Sequence, residues 1–171
     1  LHALGVAHIP EDRAMGVVGT MSVAENLALR RYARFARRGL LSRRAMEEKA
    51  SELIRRFGIQ TPSPRTPVRF LSGGNVQKVI LARELGEGAR LVLAMHPTYG
   101  VDVGAAEEVR RLLLDLAKGG AAVLLVSEDL DEILALSHRV AALYQGRMVG
   151  PLPREEVGLA RLGAMMTGGR A

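Results

Sequence analysis

The string LSGGN at residues 71–75 carries the clearest chemical signal in the sequence. Two adjacent glycines let backbone N–H groups approach an anion without an intervening Cβ atom. The hydroxyl of Ser72 adds a donor, and good helix formers over 76–85 predict a helix whose positive N-terminal end points at the same place. The string therefore predicts a phosphate-binding turn, and the alternative is a glycine-rich helix cap that binds nothing.

The surrounding sequence alternates apolar strands with helices, as in a largely parallel sheet that helices cover on both faces. Strands are predicted at 5–9, 90–95, 121–126, 139–144 and 148–150. Helices are predicted at 22–36, 42–58, 76–85, 104–118, 129–136 and 154–166, with Ser22 and Ser42 as N-caps and Gly58 just past a C-terminus. Three prolines over 60–67 predict an extended linker.

Composition limits the class of protein. The chain has 171 residues, 48% of them hydrophobic, which is enough for a packed core. It has no cysteine, which excludes disulfides and thiolate chemistry, and no apolar run approaches the roughly 20 residues that a membrane helix needs.

The basic residues are concentrated in one segment. The net charge is +6, yet residues 28–56 hold ten basic and three acidic residues, a local charge of +7, so the remainder is near neutral. Such a segment can face nucleic acid, anionic lipid or an acidic protein, or it can be a solvated helical face.

The order of these parts resembles the ATP-binding cassette of ABC transporters. LSGGNVQK is followed by a helix, the strand RLVLAMHPT, the loop YGVDVGA, a helix, VLLVSEDLDEIL and RVAALYQGRMVG. The resemblance implies an α/β fold: the C-terminal part of a P-loop NTPase cassette, with a mainly parallel sheet, flanking helices and a helical subdomain. It implies a core strand and Q-loop region at 1–21, the helical subdomain at 22–70, the core at 71–150 and a tail helix at 151–171.

The sequences of several segments are similar to the second cassette of two-cassette importers for simple sugars and nucleosides. These segments are IPEDR, SVAENL, PTYGVDVGA and LDEILALSHRV. The segments GLL…PVRFLSGGN and LVSEDLDEILALS favour the nucleoside branch of this importer family.

In that family two cassettes dimerise head to tail, and each signature motif closes over ATP held by the other. By resemblance, six residues here contact the ATP of a partner cassette: Ser72, Gly73, Gly74, Asn75, Gln77 and Asp102. The resemblance further implies ATP and Mg²⁺ as cofactors, transmembrane permease subunits as partners, an indirect link to a substrate-binding protein, and a peripheral place on the cytoplasmic face of the bacterial membrane. No nucleic-acid partner is expected.

The departures from the family pattern predict a degenerate hydrolysis site. No phosphate loop of the form GxxxxGK[ST] occurs in the sequence, so we expect truncation before Leu1 and no ATP hydrolysis by the 171 residues alone. Met95 replaces the Asp that positions Mg²⁺, and a thioether is no ligand for that ion, so no metal site is expected. Three further positions change: His96 replaces the catalytic Glu, Glu11 the Q-loop glutamine and Glu128 the switch histidine.

Two other functions stay open. One is a non-transport ABC protein that contacts nucleic acid through its basic segment, although only Tyr32 and Phe35 offer stacking surfaces among those arginines. The other is a purely regulatory cassette with no part in turnover.

Overall fold

The structure is a computed structural model that describes residues 4–37, 39–86 and 88–168. The chain divides into two units between Leu124 and Leu125. Within the described ranges, none of the helices has both the length and the apolar character that crossing a membrane requires.

The predicted helices and strands occur in the predicted order, together with a short helix at 13–16 and two short strands at 36–37 and 40–41 that were not predicted. The strands are β1 (Val6–Ile9), β2 (Ala36–Arg37), β3 (Leu40–Leu41), β4 (Leu91–Met95), β5 (Ala122–Val126), β6 (Arg139–Tyr144) and β7 (Arg147–Pro153). The α-helices are α1 (Arg13–Gly16), α2 (Val23–Ala28), α3 (Arg43–Arg56), α4 (Gly73–Leu85), α5 (Val103–Lys118), α6 (Leu130–Leu136) and α7 (Leu159–Met166). Short 3-10 segments lie at Leu29–Phe35, Val68–Phe70 and Arg154–Glu156.

A three-stranded sheet in the order β1-β4-β5 forms the frame for the site. β1 and β4 are parallel, with Val6 opposite Leu91 and Ile9 opposite Ala94. Because parallel strands end at the same edge, the residues that follow β1 and β4 lie at one end of this sheet.

Helices α2 and α3 share one apolar core with α4. Val23 and Leu27 of α2, Leu53 of α3 and Val79 and Ala82 of α4 are all buried in a single apolar cluster. Burial of such side chains contributes about 1.5–3 kcal/mol each. The first turn of α4 is therefore held in place by packing along the length of that helix.

Three predicted helix boundaries were wrong. The helix expected at 22–36 is α-helical only to Ala28, and a 3-10 segment with a kink at Arg31 (φ −138°) follows. The helix expected at 76–85 begins earlier, at Gly73, because Ser72 is its N-cap. The tail helix expected at 154–166 is a 3-10 turn followed by α7.

The unit after Leu124 departs from a parallel sheet. β6 and β7 form a separate antiparallel pair, and β7 covers Arg147–Pro153 rather than 148–150. Gln145 and Gly146 join them with φ values of 46° and 75°, as a two-residue hairpin turn requires. The apolar core of this unit contains Val140, Val157 and Leu162.

Candidate functional site

The signature turn is the exposed N-terminal end of a long helix. Ser72 caps α4, and its Oγ accepts from the backbone N–H of Asn75 at 3.4 Å and from Asn75 Nδ2 at 2.9 Å. Because the oxygen is the acceptor in both bonds, the hydroxyl proton of Ser72 remains available to an external acceptor. The N–H groups of Gly73 and Gly74 lie in the first helical turn, where no intrahelical acceptor exists. This turn can therefore donate to an anion.

Asn75 connects the signature turn to the proline-containing linker. Its Oδ1 accepts from the backbone N–H of Gln60 at 2.7 Å while its amide nitrogen donates to Ser72. Both functional atoms of the side chain are occupied within the protein. Asn75 thus holds Ser72 in position.

Gln77 points into the protein instead of toward solvent. Its side chain is 2% exposed, and Nε2 donates to the carbonyl oxygen of Pro97 at 2.8 Å. It supports the loop of residues 96–102 that follows β4. The resemblance groups Gln77 with the residues that contact ATP. In the structure its side chain supports the loop of residues 96–102.

Asp102 ends this loop beside the signature glycines. It caps α5, since Oδ1 accepts from the N–H of Ala105 at 2.9 Å. A Cβ atom added to Gly74 would lie 3.4 Å from Asp102 Oδ2 and 3.4 Å from the Cβ of Ala105. The structure therefore brings Asp102 and Gly74 together, and a methyl group at Gly74 would be in van der Waals contact with both neighbours.

Arg13 also lies at the signature turn, and the sequence pattern did not single it out. Its Nη1 donates to the carbonyl oxygen of Gly100 at 3.1 Å. A Cβ atom added to Gly73 would lie 3.1 Å from that nitrogen. The only signal in the sequence was its place in IPEDR, directly after the N-cap Asp12.

The positions expected to be degenerate lie at the end of the parallel strands. Met95 ends β4 and is 36% exposed, and His96 follows with a φ of 43°, in the left-handed region. Glu11 is exposed after β1, at the same edge of the sheet. A thioether offers Mg²⁺ no hard oxygen, and within the described ranges no three His, Cys, Asp or Glu side chains converge as metal ligands would. Met95 and His96 therefore offer no oxygen ligand to Mg²⁺.

Glu128 belongs to the unit that begins after Leu124. It is exposed and lies between β5 and Asp129, the N-cap of α6.

A buried charge cluster fixes the other end of α4. The carboxylate of Glu84 accepts from the backbone N–H of His8 at 3.3 Å and pairs with Arg30 and with Arg83 Nε, the latter at 2.9 Å. Burial, and secondarily the charge of Arg30, lowers the pKa of Arg83 to about 10. The cluster links α4 to β1 and to the segment after α2.

Part of the basic segment is neutralised internally. Arg30 pairs with Glu84, Arg44 with Glu48 at 2.9 Å and Lys49 with Glu52 at 2.8 Å. Glu48 and Glu52 already count in the local charge of +7, so of these pairs only the one with Glu84, which lies outside residues 28–56, reduces that surplus.

The chain resembles curated importer proteins in sequence, although no family model matches it. It is 40% identical over 167 residues to the ribose import ATP-binding protein RbsA of Bacillus licheniformis, covering 97% of this chain and 34% of that protein. It is 39% identical over 167 residues to the guanosine import ATP-binding protein NupO of Bacillus subtilis, covering 96% and 33%. The arabinose import ATP-binding protein AraG 1 of Burkholderia lata is 42% identical over 155 residues, 89% of this chain and 31% of that protein. The chain thus spans about one third of the length of the curated relatives it matches.

A solved structure matches the fold. The ATP-binding cassette MJ0796, a dimer in a post-hydrolysis state bound to ADP and Pi, superposes with a TM-score of 0.67 at 23% identity, covering 86% of this chain and 63% of that one. The chain therefore has the α/β fold of an ATP-binding cassette, with a parallel sheet and flanking helices. By sequence it is similar, over nearly its whole length, to ABC transporter ATP-binding proteins that include RbsA and NupO.

Proposed function

We propose that the chain is part of the second cassette of an ABC importer and supplies its signature turn to ATP held by a partner cassette. The partner cassette lies head to tail with it, either in the same polypeptide or in a homodimer. The observation that supports this proposal is the exposed first turn of α4. There the hydroxyl of Ser72 and the N–H groups of Gly73 and Gly74 can donate hydrogen bonds to an anion. When bound, ATP supplies the phosphate groups that this turn would contact.

The hydrolysis site on the chain itself is proposed to be degenerate. Met95, His96, Glu11 and Glu128 occupy the four positions where the family has Asp, Glu, Gln and His. His96 lacks the fixed negative charge of a carboxylate. Mg²⁺ and the β- and γ-phosphates would therefore be bound by the phosphate-loop part of a cassette or by the partner cassette.

The imported molecule is proposed to be a nucleoside or a simple sugar. The names of the relatives, which are ribose, arabinose and guanosine import proteins, support this class. Permease subunits in the membrane would bind the helical subdomain at 22–70, next to the core strand and Q-loop region at 1–21. The core at 71–150 and the tail at 151–171 complete the cassette on the cytoplasmic face, and a substrate-binding protein would act through the permease.

The test is a substitution in the signature turn of the full-length protein. Ser72→Arg or Gly74→Asp should reduce ATP hydrolysis at the partner's site by about 10²- to 10³-fold, because each blocks the N–H groups from a phosphate. Ser42→Arg is the matched control, since Ser42 is also an N-cap serine, accepting from the N–H of Ala45 at 3.3 Å, and lies outside the signature.

A purely structural role for the turn predicts a different result. Loss of an N-cap costs about 1 kcal/mol of stability, and then Ser42→Arg and Ser72→Arg should lower stability and turnover alike. Near-normal turnover in a folded Ser72→Arg variant would refute the proposed function.

A further inference from the structure

The guanidinium of Arg13 lies between two glycines from distant parts of the sequence. It donates through Nη1 to the carbonyl oxygen of Gly100 at 3.1 Å, across 87 residues. A Cβ atom added to Gly73 would lie 3.1 Å from Nη1, and one added to Gly100 would lie 2.7 Å from Nη2. Arg13 therefore fills the space between the signature turn and the loop of residues 96–102.

The backbone that carries Arg13 is fixed against α4. Asp12 caps α1, with Oδ1 accepting from the N–H of Ala14 at 2.8 Å. Gly16, at the other end of α1, is buried so close to α4 that an added Cβ atom would lie 2.6 Å from Ile80 Cδ1. Ile80 is about two helical turns along from Gly73. The same helix thus carries the signature turn and sets the position of Arg13.

The loop of residues 96–102 is then anchored twice. Gln77 of α4 donates to Pro97, and Arg13 of α1 donates to Gly100. At the end of this loop, Asp102 lies beside Gly74. The two anchors fix the distance between the loop and the signature turn.

We propose that Arg13 is a positioning residue that holds the loop of residues 96–102 in register with the signature turn. This role rests on the proposed function, because the two elements together would form this chain's half of the partner's ATP site. An arginine suits the task, since its planar, permanently charged group can donate to Gly100 while lying against Gly73. A lysine can supply the donor but not the planar surface.

The test compares Arg13→Ala and Arg13→Lys in the full-length protein, with Arg161→Ala as the control. Arg161 of α7 also donates to a backbone carbonyl, that of Glu156 at 2.8 Å, and lies outside both the signature turn and the helical subdomain. Arg13→Ala should lower kcat for ATP on the order of 10-fold or more with little change in KM, because misplaced groups weaken chemistry more than binding. Arg13→Lys should recover part of kcat. Turnover of Arg13→Ala equal to that of Arg161→Ala would overturn the proposal.

A second measurement does not depend on ATP and separates this inference from the proposed function. Gly73→Ala places a methyl group against Arg13, so its effect on the denaturation midpoint should shrink when Arg13 is already alanine. Strictly additive midpoints would contradict the contact. If Ser72→Arg leaves turnover unchanged while the midpoints are coupled, the proposed function fails and the contact stands. If Ser72→Arg abolishes turnover while Arg13→Ala does not, only the positioning role fails.

Discussion

At the scale of single residues, burial separates the groups that can reach a ligand from those that support them. Ser72 and Gly73 are exposed, whereas Gln77 is 2% exposed and donates to a backbone carbonyl. Ser72 and Gln77 lie in one continuous motif, and the motif does not reveal which of them faces inward. The side-chain direction depends on where α4 begins, which is a property of the fold.

The end of β4 gives a prediction about catalysis. Met95→Asp combined with His96→Glu in the full-length protein should raise hydrolysis at the degenerate site, because the Asp would supply an oxygen ligand for Mg²⁺ and the Glu a fixed negative charge. The measurement is steady-state turnover with the partner's site silenced by Ser72→Arg. Met95→Leu combined with His96→Gln is the control of similar size without carboxylates. If both pairs behave alike, the geometry at this strand end, and not the residue types, limits the reaction.

At the scale of elements, the sequence predicted helix starts best where a serine or aspartate cap was clear. Ser22 and Ser42 cap α2 and α3 as predicted, and the strand at Arg139–Tyr144 has its predicted bounds. The start of α4 was missed because glycine has low helix propensity, yet Ser72 and packing of the helix overcome it. The end of α2 was missed because Leu29–Phe35 contains good helix formers, yet a kink at Arg31 interrupts the helical geometry there.

The charge cluster at the end of α4 gives a prediction about stability. Glu84→Leu removes the carboxylate from Arg30 and Arg83 and from the N–H of His8, and leaves buried positive charge without its partner. Breaking a buried pair this way costs about 3–5 kcal/mol. Urea denaturation should show this loss, while Glu48→Leu, in an exposed pair with Arg44, should change stability by less than about 1 kcal/mol. Equal effects in the two variants would mean that the cluster contributes no more than a surface pair.

The capping box of α2 gives a prediction about pH. The Ser22 side chain and, next, the Ser22 backbone N–H donate to Glu25 Oε2 at 2.7 and 2.8 Å, and they lower the pKa of this carboxyl below its ordinary value. A lowered pKa in the folded state adds stability that is present above the ordinary value of about 4.3 and lost as pH falls through the folded value. Glu25→Gln should therefore lower stability at pH 7 by about 0.3–1 kcal/mol and flatten its decline in acid. Thermal melts from pH 7 to 3 test this. The control is Glu107→Gln, since Glu107 is an exposed carboxylate of α5 that pairs with Arg110 at 2.8 Å. Parallel curves for Glu25→Gln and the parent protein would contradict the prediction.

At the scale of the whole molecule, the order of the elements was more predictable than the contacts between distant ones. The signature residues form one short string, and a string can be recognised in a sequence. Arg13 and Gly100 are 87 residues apart, and only the parallel pairing of β1 with β4 and the docking of α1 on α4 bring them together. The antiparallel β6–β7 pair does not follow from the alternation of strands and helices; it follows from the tight turn at Gln145 and Gly146 between two successive strands.

The 171 residues on their own are not expected to hydrolyse ATP. The sequence has no GxxxxGK[ST] string to cradle β- and γ-phosphates, and Met95 and His96 offer Mg²⁺ no oxygen ligand. The signature turn can donate to a phosphate, but residues 71–75 contain no carboxylate that could bind Mg²⁺ or orient a water molecule. The purified chain should therefore hydrolyse no ATP above the rate of its own Ser72→Arg variant, which controls for contaminating ATPase, and should bind a fluorescent ATP analogue weakly or not at all. Turnover that co-purifies with the chain and disappears in the variant would show that these residues hold a complete site.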